Sequence, residues 1–365
     1  MLSYKPLKQI HAGQHVALLD TLASSVFRRG LQLYLPVAVG TFFAMVLAHA
    51  GWYREGPLSS TDVMPPVYEN FWNQTQDWYH QTLRVSCPFQ NVDPDFPHSL
   101  PYNGHLWTIP IEFYGSMVAF TLVVCLCRCR DEIRLFLLAF TSLCCLHYER
   151  WDVFLFVSGI LVAEVNLLAL GMNFAAREIV VTENRSWRWV CCRVLGNYAG
   201  SMLNYIMCAV SLYLISYPGG ANQIDEARPG FWYVYLMAWT PRRYVEMWWG
   251  FERFWVSVGG VFLVLSISNS TKLQRPFVTR VAQYLGDISY ALYIVHGPFL
   301  FTLGAWLMRL HGGDGSGWLY VAYFIVTFLV DTLLCIWTAD LFWRGVDVKS
   351  VVFAKWFAGK CWVNE

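Results

Sequence analysis

Charge is scarce in this chain. Asp, Glu, Lys and Arg make up 14% of its 365 residues, where a soluble globular domain carries about a quarter. Hydrophobic residues reach 56% and there are 18 tryptophans, more than a soluble core of this size needs, so the composition is that of an integral membrane protein. A formal net charge of +1, with no basic run interleaved with aromatics, gives no footprint for nucleic acid. The first 27 residues contain no apolar leader and no small-residue cleavage site. Nucleophile elbows, glycine-rich phosphate loops and zincin motifs are missing too, as are transporter-type internal repeats.

Cysteine is present but unorganised. Of the 11 cysteines only Cys87 falls in an outer loop, so no disulfide framework is implied. Cys125, Cys127 and Cys129, and the doublets Cys144-Cys145 and Cys191-Cys192, lack the paired spacing with histidine that a zinc site requires. His11 and His15 in "HAGQH" have i, i+4 spacing without a third ligand. No metal is expected.

Apolar windows of about 20 residues, enough to cross a hydrocarbon core of about 30 Å, fall at 31–50, 104–127, 134–149, 151–171, 198–217, 253–270, 284–307 and 318–343. The expected fold is all-α, a polytopic membrane bundle of about eight transmembrane helices forming one domain over 1–365. With the N-terminus inside, most of the 26 Lys and Arg fall in inner segments, so both termini are expected to be cytoplasmic. The first outer loop, 51–104, is acidic and proline-rich and holds the sequon at Asn73. Sequons at Asn184 and Asn269 fall on the inner side. The second outer loop, 218–252, is aromatic. It reads as a headgroup-level belt or as a mouth on which a flat substrate stacks.

Ionisable residues inside spans are expensive and by default face the bundle interior. They are Glu112, Asp152, Glu164, Asp287, His296, Asp331 and Asp340; Asp152, Asp287 and Asp340 lie near enough to span ends to reach water. At 3.6 residues per turn, Glu112 shares a small, polar face with Gly115, Ser116 and Ala119, and Trp107, Ile111 and Tyr114 form the next one. That face leaves room for a ligand or for a neighbouring helix. Two readings of Glu112 stay open: a site residue, or a structural carboxylate held by an arginine on another helix. In "LGDISYALYIVHGPF", Ser289, Tyr293 and His296 recur at i, i+4, i+7 and align as one polar stripe. An imidazole suits proton transfer near neutral pH.

Three passages carry a resemblance. "LWTIPIEFYGS" (Leu106 to Ser116) and "LGDISYALYIVHGPF" (Leu285 to Phe299) resemble two signatures of the membrane acyltransferase-3 family in its fungal form. "VFRRGLQLYLP" (Val26 to Pro36) resembles the basic segment that opens one of its spans. The resemblance implies a membrane enzyme that moves an acyl group, usually acetyl, from acyl-CoA to a hydroxyl of a carbohydrate, lipid or small metabolite. It implies Glu112 and His296 as catalytic residues. It places Trp107 and Tyr114, with Ser289 and Tyr293 of the stripe, on the substrate side, and Arg28 and Arg29 on the cytoplasmic CoA side. Membrane lipid and a hydroxylated acceptor are the expected partners, and no nucleic acid is.

Two departures follow from the same comparison. A further basic residue expected in the third passage is Gln32. Family members open with two more spans that carry an arginine and, about eleven residues on, the presumed catalytic histidine. No histidine replaces it by motif, since His49 and His105 lie near the outer face, so little or no transfer by this chain alone is expected. The rivals are a non-catalytic membrane scaffold and a proton-coupled transporter using Glu112 and His296. Glu112 and His296 are expected to face a common cavity, with a groove where two helices would otherwise pack.

Overall fold

In the computed structural model the backbone is described for residues 2–53, 64–87, 100–180, 187–217, 231–247, 249–310 and 317–362, and the side chains of 170–199 and 231–232 are not. The sequon at Asn184 and loop 218–230 therefore lie outside the described residues, and only the backbone of the Cys191-Cys192 doublet is described. Among the described residues the chain is all-α, with a single isolated β-bridge, Leu100 to Asn103.

The first helices are α1 (Tyr4–His11), α2 (His15–His49) and α3 (Phe71–Ser86). A 3₁₀ turn (Gly104–Trp107) leads into α4 (Thr108–Leu126), then α5 (Asp131–His147), α6 (Trp151–Val180) and α7 (Trp187–Ile215). Next are α8 (Phe231–Trp239), α9 (Arg242–Val245), α10 (Gly250–Ser268) and α11 (Thr271–Gln274). After a 3₁₀ turn (Arg275–Val278) come α12 (Arg280–Phe299), a π turn (Leu300–Gly304) and α13 (Ala305–Leu310). The chain ends with α14 (Trp318–Phe342), a second π turn (Trp343–Asp347) and α15 (Val348–Cys361).

Among the described residues six stretches are long and apolar enough to cross a membrane: His15–His49, Gly104–Leu126, Trp151–Ala169, Gly250–Ser268, Arg280–Leu310 and Trp318–Cys361. The described part of α7, Gly200–Ile215, is a shorter apolar helix. The window expected at 134–149 is α5, whose 17 residues open on Asp131 and Glu132. The protein is a polytopic membrane protein with six to seven candidate spanning helices among the described residues, against about eight expected from hydropathy. The first window also starts earlier than expected. α2 begins at His15 rather than 31, because residues 15–30 contain neither Pro nor an internal Gly to stop a helix.

The chain packs as two compact units, Met1–Leu22 with Gly115–Thr279, and Ala23–Tyr114 with Arg280–Glu365. In the first unit α5 packs on α6, and α10 on α6 and α7. α1 lays Pro6, Leu7 and Ile10 inward and docks on α6. The acids singled out as intramembrane resolve here into ion pairs. Arg134 Nε donates to Glu164 Oε1 at 2.9 Å, both side chains being fully buried, and Arg150 Nη2 donates to Asp152 Oδ2 at 2.8 Å. At the Gly115 end of the small face on α4, the space is filled by the ring of Phe156, which a Cβ at 115 would overlap. Of the two occupants that face allowed, the neighbouring helix takes it there.

In the second unit α12 packs on α14. The segment expected as a loop contains α3, started by Asn70, whose side chain accepts from Trp72 N. The helix folds back onto α2. Trp78 Nε1 donates to Thr41 Oγ1 at 3.1 Å and stacks edge-on against Phe42. Gln74 Nε2 donates to the Tyr102 hydroxyl at 2.8 Å, and that hydroxyl donates to Asp77 Oδ2 at 2.6 Å. Burial first, and then the bond to Asp77, push the Tyr102 phenol above its ordinary range.

Candidate functional site

The candidate site lies wholly in the second unit and is organised by a proline. Pro298 sits inside α12 and has no N–H, so the carbonyl of Ile294 loses its helical donor. Asn103 supplies the replacement: Nδ2 donates to Ile294 O at 2.8 Å. A freed carbonyl in a membrane helix must find such a partner because no water competes for it. Gly297 makes the approach possible, since a Cβ there would lie 2.6 Å from Asn103 Oδ1 and 3.1 Å from His105 Nδ1. Directly after Pro298 the backbone widens into the π turn Leu300–Gly304, and π turns recur at functional sites.

Docking Asn103 on α12 brings His105 against His296, with ring centroids 4.7 Å apart and planes at 66°. Tyr293 ties the group together. Its hydroxyl donates to the His105 carbonyl, so in the 2.7 Å bond between Tyr293 and Thr108 the threonine is the donor. The Tyr293 ring lies 5.6 Å from that of His296. His296 Nδ1 is 2.8 Å from the Tyr293 carbonyl oxygen. That oxygen can only accept, so Nδ1 carries a proton and Nε2 of the neutral ring holds the lone pair. A half-buried imidazole fixed in this tautomer is arranged to accept a proton at Nε2.

Glu112 is one turn into α4 and pairs with Arg29 of α2, Nη2 to Oε1, at 2.6 Å. The arginine on another helix is therefore present. The Glu112 side chain still keeps 42% of its surface, while Arg29 keeps 15%. The Phe113 ring lies 5.7 Å from that of Tyr34, tilted at 52°, and Tyr290 on α12 donates to Leu33 O at 2.6 Å.

Several expectations change. Arg29, which the resemblance puts on the CoA side, is here bonded to Glu112. Arg29 is thereby committed to a carboxylate. Arg28 donates through Nε to Ser24 O at 3.0 Å and is the remaining member of the expected cationic pair.

Ser289 does not join the stripe. It is exposed and returns its hydroxyl to Gly286 O at 2.8 Å, a local bond that serine forms readily within a helix. Trp107 is half-buried at the end of the 3₁₀ turn. Tyr114 is half-buried on α4, and two residues at 100° each turn it to the opposite face from Glu112. The cavity described in this unit, about 860 Å³, is lined by neither Glu112 nor His296.

Asn103, His105 and Thr108 were missed by sequence reasoning. Their signal was Pro298, which announces an orphaned carbonyl at Ile294 and hence a donor brought from elsewhere. In the first unit His11, Asp131 and Glu164 present ligand atoms within 4.8 Å of one another. Arg134 donates to both carboxylates, so a cation would have to displace a guanidinium already bound there. His15 is exposed and outside the group.

A family model described as an acyltransferase domain, of the acyltransferase-3 type, matches residues 18–340. The chain is similar to the O-acetyltransferase PaAT-1 of Phomopsis amygdali, 31% identical over 97% of this chain and 71% of that protein. It is also similar to the acyltransferase clz18 of Cochliobolus lunatus, at 25% identity over 89% of this chain and 69% of the relative. The acyltransferase R4 of a Phoma species is 24% identical over 86% and 69% respectively. The chain thus spans about 70% of the length of these relatives. No solved structure matches it. The chain belongs to the membrane acyltransferase-3 family.

Proposed function

We propose that the protein is a membrane O-acyltransferase that transfers an acetyl group from acetyl-CoA to the hydroxyl of a carbohydrate, lipid or small metabolite. The similarity to an O-acetyltransferase along nearly the whole chain favours acetyl and an oxygen acceptor. One family match runs through both compact units, which supports a single functional domain over 1–365. Both termini are read as cytoplasmic from the distribution of Lys and Arg.

The observation that carries the reading is the His296 imidazole held with Nδ1 on the Tyr293 carbonyl. Nε2 would take the proton of the acceptor hydroxyl as its oxygen attacks the thioester carbonyl, and would return it as the thiol leaves. His105 and Tyr293 hold the ring's surroundings. The Arg29–Glu112 pair sets the charge of the adjoining layer, and Arg28 is left to meet a phosphate of the donor. Membranes from cells expressing the protein, given radiolabelled acetyl-CoA and a panel of a sugar, a long-chain alcohol and a small hydroxy acid, test this. Label in one acceptor with wild type and none with His296→Gln supports the reading. Label that is unchanged in folded His296→Gln contradicts it.

A further inference from the structure

We propose that the cavity between α2, α12–α13 and α14 is a binding groove for one acyl chain of a bilayer phospholipid, separate from the histidine cluster. The proposal does not depend on the transferase reading.

The groove holds about 860 Å³, within the range of ligand pockets, roughly 300–1,000 Å³. Its floor is buried and apolar, including Ala44, Ile294, Val295 and Phe342. Its rim is exposed at Phe43, Trp52, Trp306 and Leu341. Four lining residues carry polar side-chain atoms, Thr302 and Thr338 through their hydroxyls and Trp52 and Trp306 through the indole N–H at the exposed rim, and the Thr302 hydroxyl is spent on Pro298 O at 2.6 Å. No charge and little hydrogen-bonding capacity face the space, so a sugar, a nucleotide or a headgroup would leave most of its polar groups unpaired there. A hydrocarbon chain has none to leave unpaired.

Helix geometry separates the groove from the histidine cluster. At 100° per residue, Ile294, Val295 and Pro298 share one side of α12, and His296 points away from the middle of that side. Length argues for a bilayer lipid in particular. From Ile294 to Trp306 the groove wall rises about 18 Å, close to one leaflet of a hydrocarbon core about 30 Å thick. Two indoles, Trp52 and Trp306, stand at the same end of it, where the amphipathic ring of tryptophan favours headgroup level. Both π turns border this one space, through Thr302 and Leu303 and through Val346. Two departures from regular helix at one groove are the kind of feature that accompanies a binding function.

The test places the full chain in nanodiscs of phosphatidylcholine carrying a photoactivatable diazirine on one acyl chain, and maps adducts by mass spectrometry. Adducts should concentrate on Phe43, Ala44 and Thr338 over Val326 and Phe328, which lie exposed on α14 away from the groove. Ala44→Phe fills the floor and should abolish the groove adducts while those at Val326 and Phe328 persist. Thr338→Phe fills it from the opposite wall and serves if the first variant fails to fold. Groove adducts no denser than those at Val326 and Phe328 overturn the proposal, as does groove labelling unchanged in a folded filled variant.

Discussion

Replacing Asn103 with Ala should destabilise the protein through a carbonyl four residues before Pro298. Asn103 is 3% exposed and Ile294 1%, so no water reaches the Ile294 oxygen once the amide is gone. Leaving a buried acceptor unsatisfied costs about 1–3 kcal/mol. A loss near 2 kcal/mol is a shift of roughly thirtyfold in the folded to unfolded ratio. The cause can be isolated with Pro298→Ala, which restores a backbone N–H that can bond Ile294 O within the helix. In that background Asn103→Ala should cost about 1 kcal/mol less than in the wild type, a coupling typical of groups sharing one acceptor. Reversible unfolding in mixed micelles, followed by tryptophan fluorescence, measures all four proteins. Equal costs of Asn103→Ala in both backgrounds would show that the amide does not stand in for the missing proline N–H.

Glu112→Gln leaves the Arg29 cation without its counter-charge. With Glu112 partly exposed, the cost should fall between that of surface and buried pairs, about 1–3 kcal/mol, and Arg29→Gln added to it should recover part of the loss in the same unfolding assay. Glu164→Gln takes the buried carboxylate from Arg134, which is 2% exposed and keeps its bond to the more exposed Asp131, and should be harsher than Glu112→Gln, up to about 3 kcal/mol, read as loss of folded protein in size-exclusion chromatography. The raised pKa of Tyr102 favours its neutral form in the fold. Its contribution is complete below the unfolded phenol value near 10 and declines as pH climbs from there through the folded value, so alkaline unfolding should begin earlier in wild type than in Tyr102→Phe. Matching alkaline midpoints would remove Tyr102 as the cause.

Much of the fold was legible because its signal is local. Twenty-residue apolar windows fixed most spans to within a few residues, and the charges at their ends showed which carboxylates were too deep to be casual. Asp152 and Glu164 could be flagged from sequence; Arg150 pairs with Asp152 from two residues away, whereas Arg134 became visible as the partner of Glu164 only once α5 packed on α6. α3 was hidden because hydropathy sees a polar, proline-flanked segment, whereas an Asn70 cap and the contacts of Trp78 and Gln74 make it a helix on α2. Glu112 and His296 could be named from their motifs. Their surroundings could not, since Arg29 reaches Glu112 from 83 residues away and Asn103 reaches the Ile294 carbonyl from 191 residues away. Ser289 shows the limit of periodicity: the spacing was right, and a bond to its own helix removed it from the stripe.

Acetyl transfer by this chain, with and without the Nε2 base, addresses the central claim most directly. The family motif led to an expectation of little activity because its presumed histidine has no counterpart by spacing, whereas the fold brings His105 and His296 together at 4.7 Å. The account predicts transfer from labelled acetyl-CoA to a hydroxylated acceptor by wild-type membranes, lost in His296→Gln at equal amounts of folded protein. Transfer that persists in folded His296→Gln, or wild-type protein that folds and transfers to none of the acceptors, would contradict it, and the latter would leave the non-catalytic scaffold as the reading to pursue.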